Sequence, residues 1–365
     1  MIIKHITQYL ESIAPLAYQE SYDNSGLLTG HPDWETHAAL ITLDCTEAVV
    51  DEAIAKKCNL IIAHHPIIFK GLKKLTGSNY VERTVIKAIE NKIAIYAIHT
   101  NLDNSWQGVN QQIAQKLELK NTSILQPIKN QLAKIVTFVP ENKTGDVLNA
   151  LHKAGAGNIG NYSDCSFKVN GIGTFKPNEL ANPSIGQANQ QEWVQEDRIE
   201  LIFPVHTEKT VIQALHQAHP YEVPAYYIHY LENENQEVGA GMVGELSQAL
   251  SGIEFLKYLK EKMNLQTIRH TALLQKPIKK VAVCGGSGSF LLKKAISAGA
   301  DAFISADFKY HEFFDAENKL LIADIGHYES EVYTKDWISA LLTKKFPTFA
   351  VNFSGINTNP ISYYH

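Results

Sequence analysis

The sequence predicts a mixed α/β protein in which a mostly parallel sheet is covered by helices and a second, α+β domain is inserted. From residue 38 short apolar runs alternate with amphipathic runs of helical period, and a similar alternation begins at residue 280. These apolar runs carry too few polar residues to leave one face in water, which is typical of parallel strands covered by helices. We therefore expect one discontinuous domain, residues 1–125 and 241–365, interrupted by an inserted domain at 126–240.

The first stretch reads as repeated βαβ units. The N-terminus has the period of an amphipathic helix and lacks the long apolar run of a secretion signal. The elements predicted after it are a strand at 39–43, a helix at 46–57, a strand at 60–63, a helix at 80–91 and a strand at 93–98.

The second stretch predicts a strand at 280–284, a helix at 290–298 and strands at 302–305 and 320–323. The middle of the chain differs, because it has a turn-rich run at 154–162 and a Pro- and Asn-rich segment at 176–191. Strand-like pieces in this middle part lie at 133–139, 198–203 and 225–230. We interpret it as an α+β domain.

Composition narrows the classes of function. The chain has 365 residues, 45% of them hydrophobic, and a formal net charge of -5 without a run of Lys or Arg, so no nucleic-acid footprint is visible. Four cysteines without a CxxC pair fit reduced thiols, and we expect a cytoplasmic protein. No apolar stretch approaches the ~20 residues that cross a bilayer, so we expect no membrane association.

Side chains of the metal-ligand type follow three of the apolar runs. One such histidine is more often a satisfied polar residue than a ligand. Three segments in one chain favour a single metal site, because the carboxyl ends of parallel strands meet at one edge of a sheet. The segments hold His64 and His65, His99 and Asp103, and His327 and Glu331, while Asp44 and Asp307 follow further strands.

Local spacing refines this expectation. Adjacent histidines at the end of a strand can splay apart, so His64 and His65 can serve two neighbouring ions. If a helix begins after Gly326, His327 and Glu331 lie four residues apart on one face of it.

A glycine-rich segment, Cys284–Ser289, follows the strand predicted at 280–284. Such a turn can bind phosphate through backbone N–H groups, but this one lacks the lysine of a P-loop and a full GxGxxG. We favour a tight turn beside the metal site over a dinucleotide site and leave contact with a substrate phosphate open.

At these residues the sequence resembles the GTP cyclohydrolase I type 2 homologue family, also called the NGG-one-interacting factor three-like proteins. The middle part resembles the insert of the longer bacterial members through 155–167 and 219–226. The motifs that carry the resemblance elsewhere are 22–27, 63–69, 99–103, 284–288, 305–311 and 326–331.

The resemblance implies that His64, His65, Asp103, His327 and Glu331 hold two divalent metal ions, with Glu331 bridging. Zinc, iron and manganese all suit such ligands. It further implies a toroidal homohexamer with the metal sites facing an interior cavity, and an insert similar to the ferredoxin-like trimeric domains of the PII and CutA type. From the ligand count we expect His65 and Asp103 around one ion and His64 and His327 around the other.

Two positions depart from the family pattern. Tyr22 stands where many relatives have Trp, and Met242 stands where many have Arg. The second change removes a charge and puts in doubt any anion contact at that position.

The residues support metal-dependent hydrolysis of a small molecule, whereas a nucleotide-like substrate and cyclohydrolase activity enter only through the family label. Asp307 and His311 lie four residues apart and are candidates for proton transfer or for orienting a ligand, with a structural role equally open. The alternative is a metal-binding hexamer that regulates or scaffolds without turnover. A DNA-binding ring has no basic stripe behind it.

Overall fold

The computed structural model describes residues 1–364 and divides the chain into two units. The first unit consists of Met1–Pro127 together with the chain from Gln236 onward, and the second unit is Ile128–Asn235. The α-helices are α1 (Ile3–Ile13), α2 (Glu47–Ala55), α3 (Tyr80–Glu90), α4 (Thr100–Asp103), α5 (Val109–Lys116), α6 (Thr144–Lys153), α7 (Glu208–Ala218), α8 (Gly252–Lys262), α9 (Leu292–Ser297), α10 (His327–Glu331) and α11 (Thr334–Lys345).

The strands include most of the apolar runs seen in the sequence, together with several that have no such pattern. They are β1 (Gly26–Thr29), β2 (Ala38–Thr42), β3 (Leu60–Ala63), β4 (Ala94–Ala97), β5 (Lys120–Pro127), β6 (Leu132–Pro140), β7 (Phe167–Phe175), β8 (Glu192–Pro204), β9 (Tyr226–Leu231), β10 (Gly239–Leu250), β11 (Arg269–His270), β12 (Ile278–Ser287), β13 (Ala302–Ala306), β14 (Leu321–Asp324) and β15 (Ala350–Phe353).

The first unit contains two sheets where the sequence predicts one. The first sheet has the order β1-β4-β3-β2-β15, with β1 antiparallel and the other strands parallel. The second has the order β11-β14-β13-β12-β10-β5, in which only β12, β13 and β14 run parallel. Each short run of parallel strands is thus extended by antiparallel strands, and the mixed α/β class predicted from the sequence is confirmed.

Residues of both sheets share one hydrophobic core. Leu60 and Ile62 of β3 belong to the same buried cluster as Val281 and Val283 of β12, whereas Ile61 faces the side covered by α2 and α3. Both faces of these strands are therefore buried, which explains their nearly continuous apolar sequences.

Met242 lies in this shared core, on β10 between Ile124 of β5 and Val283 of β12. Its side chain is fully buried and packs as part of the hydrophobic interior.

The second unit follows the order β6-α6-β7-β8-α7-β9, and its antiparallel sheet has the order β7-β8-β6-β9. This is the βαββαβ arrangement of a ferredoxin-like domain. Ile199, Leu201 and Phe203 alternate toward a core shared with α6 and α7. β7 has no recognisable strand pattern in the sequence, because most of its residues are exposed and two are glycines.

Within residues 1–364 no helix is long and apolar enough to cross a membrane.

Candidate metal centre

The side chains proposed as metal ligands come together in the first unit, although they are separated by up to 267 residues in sequence. Each follows a strand: His64 and His65 follow β3, Asp103 ends α4 after β4, and α10 follows β14. The three strands belong to two different sheets. The sequence predicts that the carboxyl ends of strands meet at this site, and in the structure these strand ends come from both sheets.

The first ligand group is His64, Asp103 and Glu331. The Nε2 atom of His64 lies 3.5 Å from Asp103 Oδ1 and 3.8 Å from Glu331 Oε1. Two ligands bound at ~2.1 Å to one tetrahedral ion lie ~3.4 Å apart, so these separations suit a shared ion. His64 is 0% exposed, and its Nδ1 donates to the carbonyl oxygen of Ile98 at 2.7 Å, which leaves Nε2 directed at the centre.

Two atoms of this group are buried without a hydrogen-bond partner among the described residues. They are Nε2 of His64 and Oδ1 of Asp103. Most buried side-chain polar atoms in native proteins do have a partner. A cation between these two atoms would satisfy both, so the residues present fit a bound metal ion.

The second ligand group is His65, His327 and Glu331. Glu331 Oε2 lies 2.9 Å from His65 Nε2 and 3.1 Å from His327 Nε2, and the two ring nitrogens are 3.2 Å apart. The Nδ1 atoms are held by carboxylates, His65 by Asp44 and His327 by Asp307, each at 2.7 Å. Both rings are therefore oriented with Nε2 inward.

This grouping differs from the division expected from the ligand count. That division paired His65 with Asp103 and His64 with His327, whereas the structure pairs His64 with Asp103 and His65 with His327. Sequence distance does not reveal in which direction two adjacent histidines splay at the end of a strand. Glu331 belongs to both groups and presents one oxygen to each.

Local backbone explains how α10 and the glycine-rich segment fit this site. Gly326 precedes α10 with φ +91, and a Cβ atom there would meet Glu329 Oε2 at 2.3 Å. At Gly286, with φ +59, a Cβ atom would lie 2.4 Å from Glu331 Oε1. The glycine-rich segment is therefore a close approach of backbone to the site, the interpretation favoured from the sequence.

The charges of the site favour bound cations. Burial lowers the pKa of the His65 ring, but hydrogen bonds to its carboxylate partners outweigh burial and raise the pKa to about 9. The same balance raises the pKa of His327 to about 11. Burial, reinforced by the charge of Glu331, raises the pKa of Asp103 to about 7. The His65 and His327 rings therefore carry protons next to the carboxylates. A bound metal ion would supply this positive charge instead.

A fourth histidine was not among the predicted ligands. The ligand atoms of His99, His64 and His65 lie within 4.8 Å of one another. His99 Nδ1 is 2.7 Å from Asp23 Oδ1, and Asp23 also accepts from the backbone N–H of Thr100 at 3.0 Å. Burial raises the pKa of Asp23, but these hydrogen bonds overcome burial and lower it. His99 lies in one of the three metal-ligand segments seen in the sequence, but the ligand set that the resemblance implies leaves it out.

The structure separates the two residues considered for proton transfer. Asp307 has a left-handed backbone, φ +59, and lies before the helical turn Tyr310–Ala316, so Asp307 and His311 do not share a helix despite their spacing of four residues. Asp307 instead holds the His327 ring. His311 is exposed, and its ring lies beside Tyr310 and Phe314 rather than in either ligand group.

Known proteins resemble this chain over its whole length. The family model for Duf34/NIF3 (NGG1p interacting factor 3) matches residues 1–360. A Staphylococcus epidermidis protein named GTP cyclohydrolase 1 type 2 homolog is 37% identical over 371 residues, with 100% of both chains covered. A Bacillus subtilis protein of the same name is 38% identical over 366 residues, covering 99% of this chain and 98% of the relative.

A solved structure agrees with these relatives. The crystal structure of a Bacillus cereus protein related to NIF3 matches with a TM-score of 0.88 and 36% identity, covering 100% of this chain and 99% of that one. Since the family model and the relatives span nearly every residue, the chain belongs to the Duf34/NIF3 (NGG1p interacting factor 3) family.

Proposed function

We propose that this protein is a metal-dependent hydrolase that acts on a small, nucleotide-like molecule through two divalent ions. One observation carries the proposal: Nε2 of His64 and Oδ1 of Asp103 are buried 3.5 Å apart and neither has a hydrogen-bond partner within residues 1–364. Leaving two polar atoms unsatisfied is costly, and a cation between them removes the cost.

The proposed ligands follow the two groups in the structure. His64, Asp103 and Glu331 Oε1 would hold one ion, and His65, His327 and Glu331 Oε2 would hold the other. Each ion then has three protein ligands, which is the number found in catalytic sites that keep a position open. Nitrogen and carboxylate ligands of this kind suit zinc, iron or manganese.

Such ions supply Lewis acidity and lower the pKa of water, which is the chemistry of hydrolysis. The chain's own residues prepare the site for it. Asp44, Asp307 and the carbonyl oxygen of Ile98 fix three imidazole rings through Nδ1. These contacts point Nε2 of each ring toward the ligand groups, so the rings would not have to turn when a metal ion binds.

His99 lies beside the ligand groups with its Nδ1 held by Asp23. Its other ring nitrogen remains available to hydrogen-bond a substrate. We assign His99 a substrate-positioning role and give the exposed His311 no role, although the sequence analysis considered His311 for proton transfer.

The substrate class rests on the names of the relatives, which are called homologues of GTP cyclohydrolase. GTP is therefore the first compound to test, followed by other nucleotides and their breakdown products. We further propose the homohexameric toroid and the PII/CutA-like character of the insert, as the family resemblance implies. Light scattering that gives the mass of a monomer at working concentration would contradict the hexamer.

The test combines elemental analysis with turnover. Protein purified without added metal should carry two ions per chain and hydrolyse at least one compound of the panel, and chelation should abolish both. Glu331→Ala should lose both ions, whereas the control Glu329→Ala should keep them, because Glu329 lies on the same helix and contacts Asn359. Turnover that survives chelation and Glu331→Ala would refute the hydrolase mechanism. Full metal occupancy without turnover would favour the regulatory alternative.

A further inference from the structure

The inserted unit contains a cavity that the proposed hydrolase does not use. It has a volume of about 640 Å³, within the ~300–1,000 Å³ of small-molecule sites. Ile199, Leu201 and Phe203 of β8 face the helices, so Glu196 and Arg198, which line the cavity, point to the opposite face of the sheet. None of the proposed metal ligands lines this cavity.

Two glycines on β7 make the floor of the cavity bare backbone. Gly171 pairs with Glu196 across the sheet, and a Cβ atom at Gly171 would meet nothing within 4 Å. At Gly173 a Cβ atom would lie 1.9 Å from Glu196 Oε2. Gly171 therefore leaves room for a flat group, and Gly173 leaves room for the Glu196 carboxylate.

The walls are aromatic. Phe175 and Tyr221 pack edge to face with centroids 5.6 Å apart, and Phe138 and Tyr227 do the same at 5.9 Å. All four residues line the cavity. Rings of this kind offer stacking surfaces to a planar ligand.

Within residues 1–364, no Lys or Arg forms an ion pair with Glu196, because the cations nearest along these strands pair with Asp197 and Glu200. It is 7% exposed, and the hydrogen bond that the described residues give it comes from the Tyr221 hydroxyl to Oε1 at 2.6 Å. Arg198 on the same face pairs with Glu200 at 2.8 Å.

The nearby His219 cannot supply the missing charge. Its Nε2 donates to the carbonyl oxygen of Phe138 at 2.9 Å, and its Nδ1 accepts from the backbone N–H of Tyr221 at 3.1 Å. A ring that donates through one nitrogen and accepts through the other is neutral. The carboxylate of Glu196 thus retains acceptor sites for a ligand.

We propose that this cavity binds a flat, nitrogen-rich aromatic ring whose N–H edge donates to Glu196 while its faces stack on the aromatic walls. Lys176 and Arg198 also line the cavity, so an N–H edge that fits Glu196, rather than net charge, selects the ligand; a small aliphatic ammonium would leave the aromatic walls without a partner. A ring bearing two adjacent N–H groups matches both the Glu196 carboxylate and the aromatic walls, since a carboxylate accepts two parallel hydrogen bonds.

The probe is 2-aminobenzimidazole, a planar bicycle with adjacent N–H donors, measured by calorimetry on the full chain. We expect a Kd on the order of 0.1 mM, as for a well-placed fragment. Methylguanidine, which has the same donor edge without the ring, should bind at least tenfold more weakly.

Three variants locate the site. Glu196→Gln should weaken binding at least tenfold, because it removes a charge-assisted hydrogen bond. Gly171→Val should abolish binding by filling the floor, and its backbone does not require glycine because φ there is not positive. The matched control Glu200→Gln, on the same strand and the same face, should bind like the wild type, because Glu200 does not line the cavity.

Melting curves establish that each variant is folded, and Gly171→Val tests the site if Glu196→Gln fails to fold. Absence of binding by the wild-type chain at millimolar probe would overturn the proposal. Equal affinity in Gly171→Val would do the same, as would a loss of affinity in Glu200→Gln that matches the loss in Glu196→Gln.

Discussion

Asp307 provides a direct test of how the site is held together. Its Oδ2 atom is 2.7 Å from Nδ1 of His327, and no other ligand ring is held by Asp307. In Asp307→Asn the ring keeps its place on α10 but loses a charged acceptor. We therefore expect weaker binding of the ion assigned to His65 and His327 and unchanged binding of the ion assigned to His64.

The expected loss of metal affinity depends on how far the Asp307 side chain is exposed. Removing a partner that orients a metal-bound histidine typically costs ~10–100-fold in metal affinity. The Asp307 side chain is 46% exposed, so water replaces part of the lost hydrogen bond. This places the expected loss near tenfold, or about 1.4 kcal/mol, for one ion of the pair.

Competition with a chromophoric chelator resolves the two stepwise dissociation constants. Asp315→Asn is the control, since Asp315 is an exposed carboxylate in the neighbouring turn. The reasoning would be refuted if the binding of both ions were weakened equally or if the binding of neither ion were weakened. Slower turnover with both affinities intact would show that Asp307 transfers protons, the role considered from the sequence.

Three further predictions follow from the same structure. His64→Ala should lose the ion assigned to His64 and Asp103 and retain the second, as elemental analysis would show by a fall from two ions to one per chain. The Glu82 carboxylate accepts backbone N–H groups of Thr76 and Ser78, which lower its pKa to about 2, so its stabilising effect is present above pH ~4.5 and is lost as pH falls toward 2. Glu82→Gln should therefore melt below the wild type at neutral pH, and the difference should shrink in acid; a constant difference would contradict this. Replacing residues 128–235 by a short Gly-Ser linker should leave a folded chain that binds metal, because β5 and β10 are antiparallel neighbours in which Pro127 pairs with Gly239; unfolding or metal loss on removal would refute independence of the insert.

The sequence was most informative where burial is complete. β3, β4 and β14 are four-residue strands buried on both faces, and each is followed by polar residues that can bind metal. A short apolar run that ends in histidine is therefore visible without a structure. The helical spacing of His327 and Glu331 was equally readable, because Gly326 marks the start of α10.

Other features have no local signal. Asp23 meets His99 across 76 residues, and this carboxylate does not differ in sequence from an ordinary loop residue. The strands β1 and β15 are short and only partly buried, and they are strands because they pair at the edges of a sheet. Such tertiary contacts override local pattern.

Glu331 has a consequence for how the proposed site would fill. Its Oε1 atom faces His64 and its Oε2 atom faces His65 and His327, so one side-chain torsion sets the position of both oxygens. An ion that binds on either side restricts that torsion and leaves less conformational entropy to be lost when the second ion binds. On the proposed ligand set, the ion that binds first therefore also positions the carboxylate oxygen that the second ion uses.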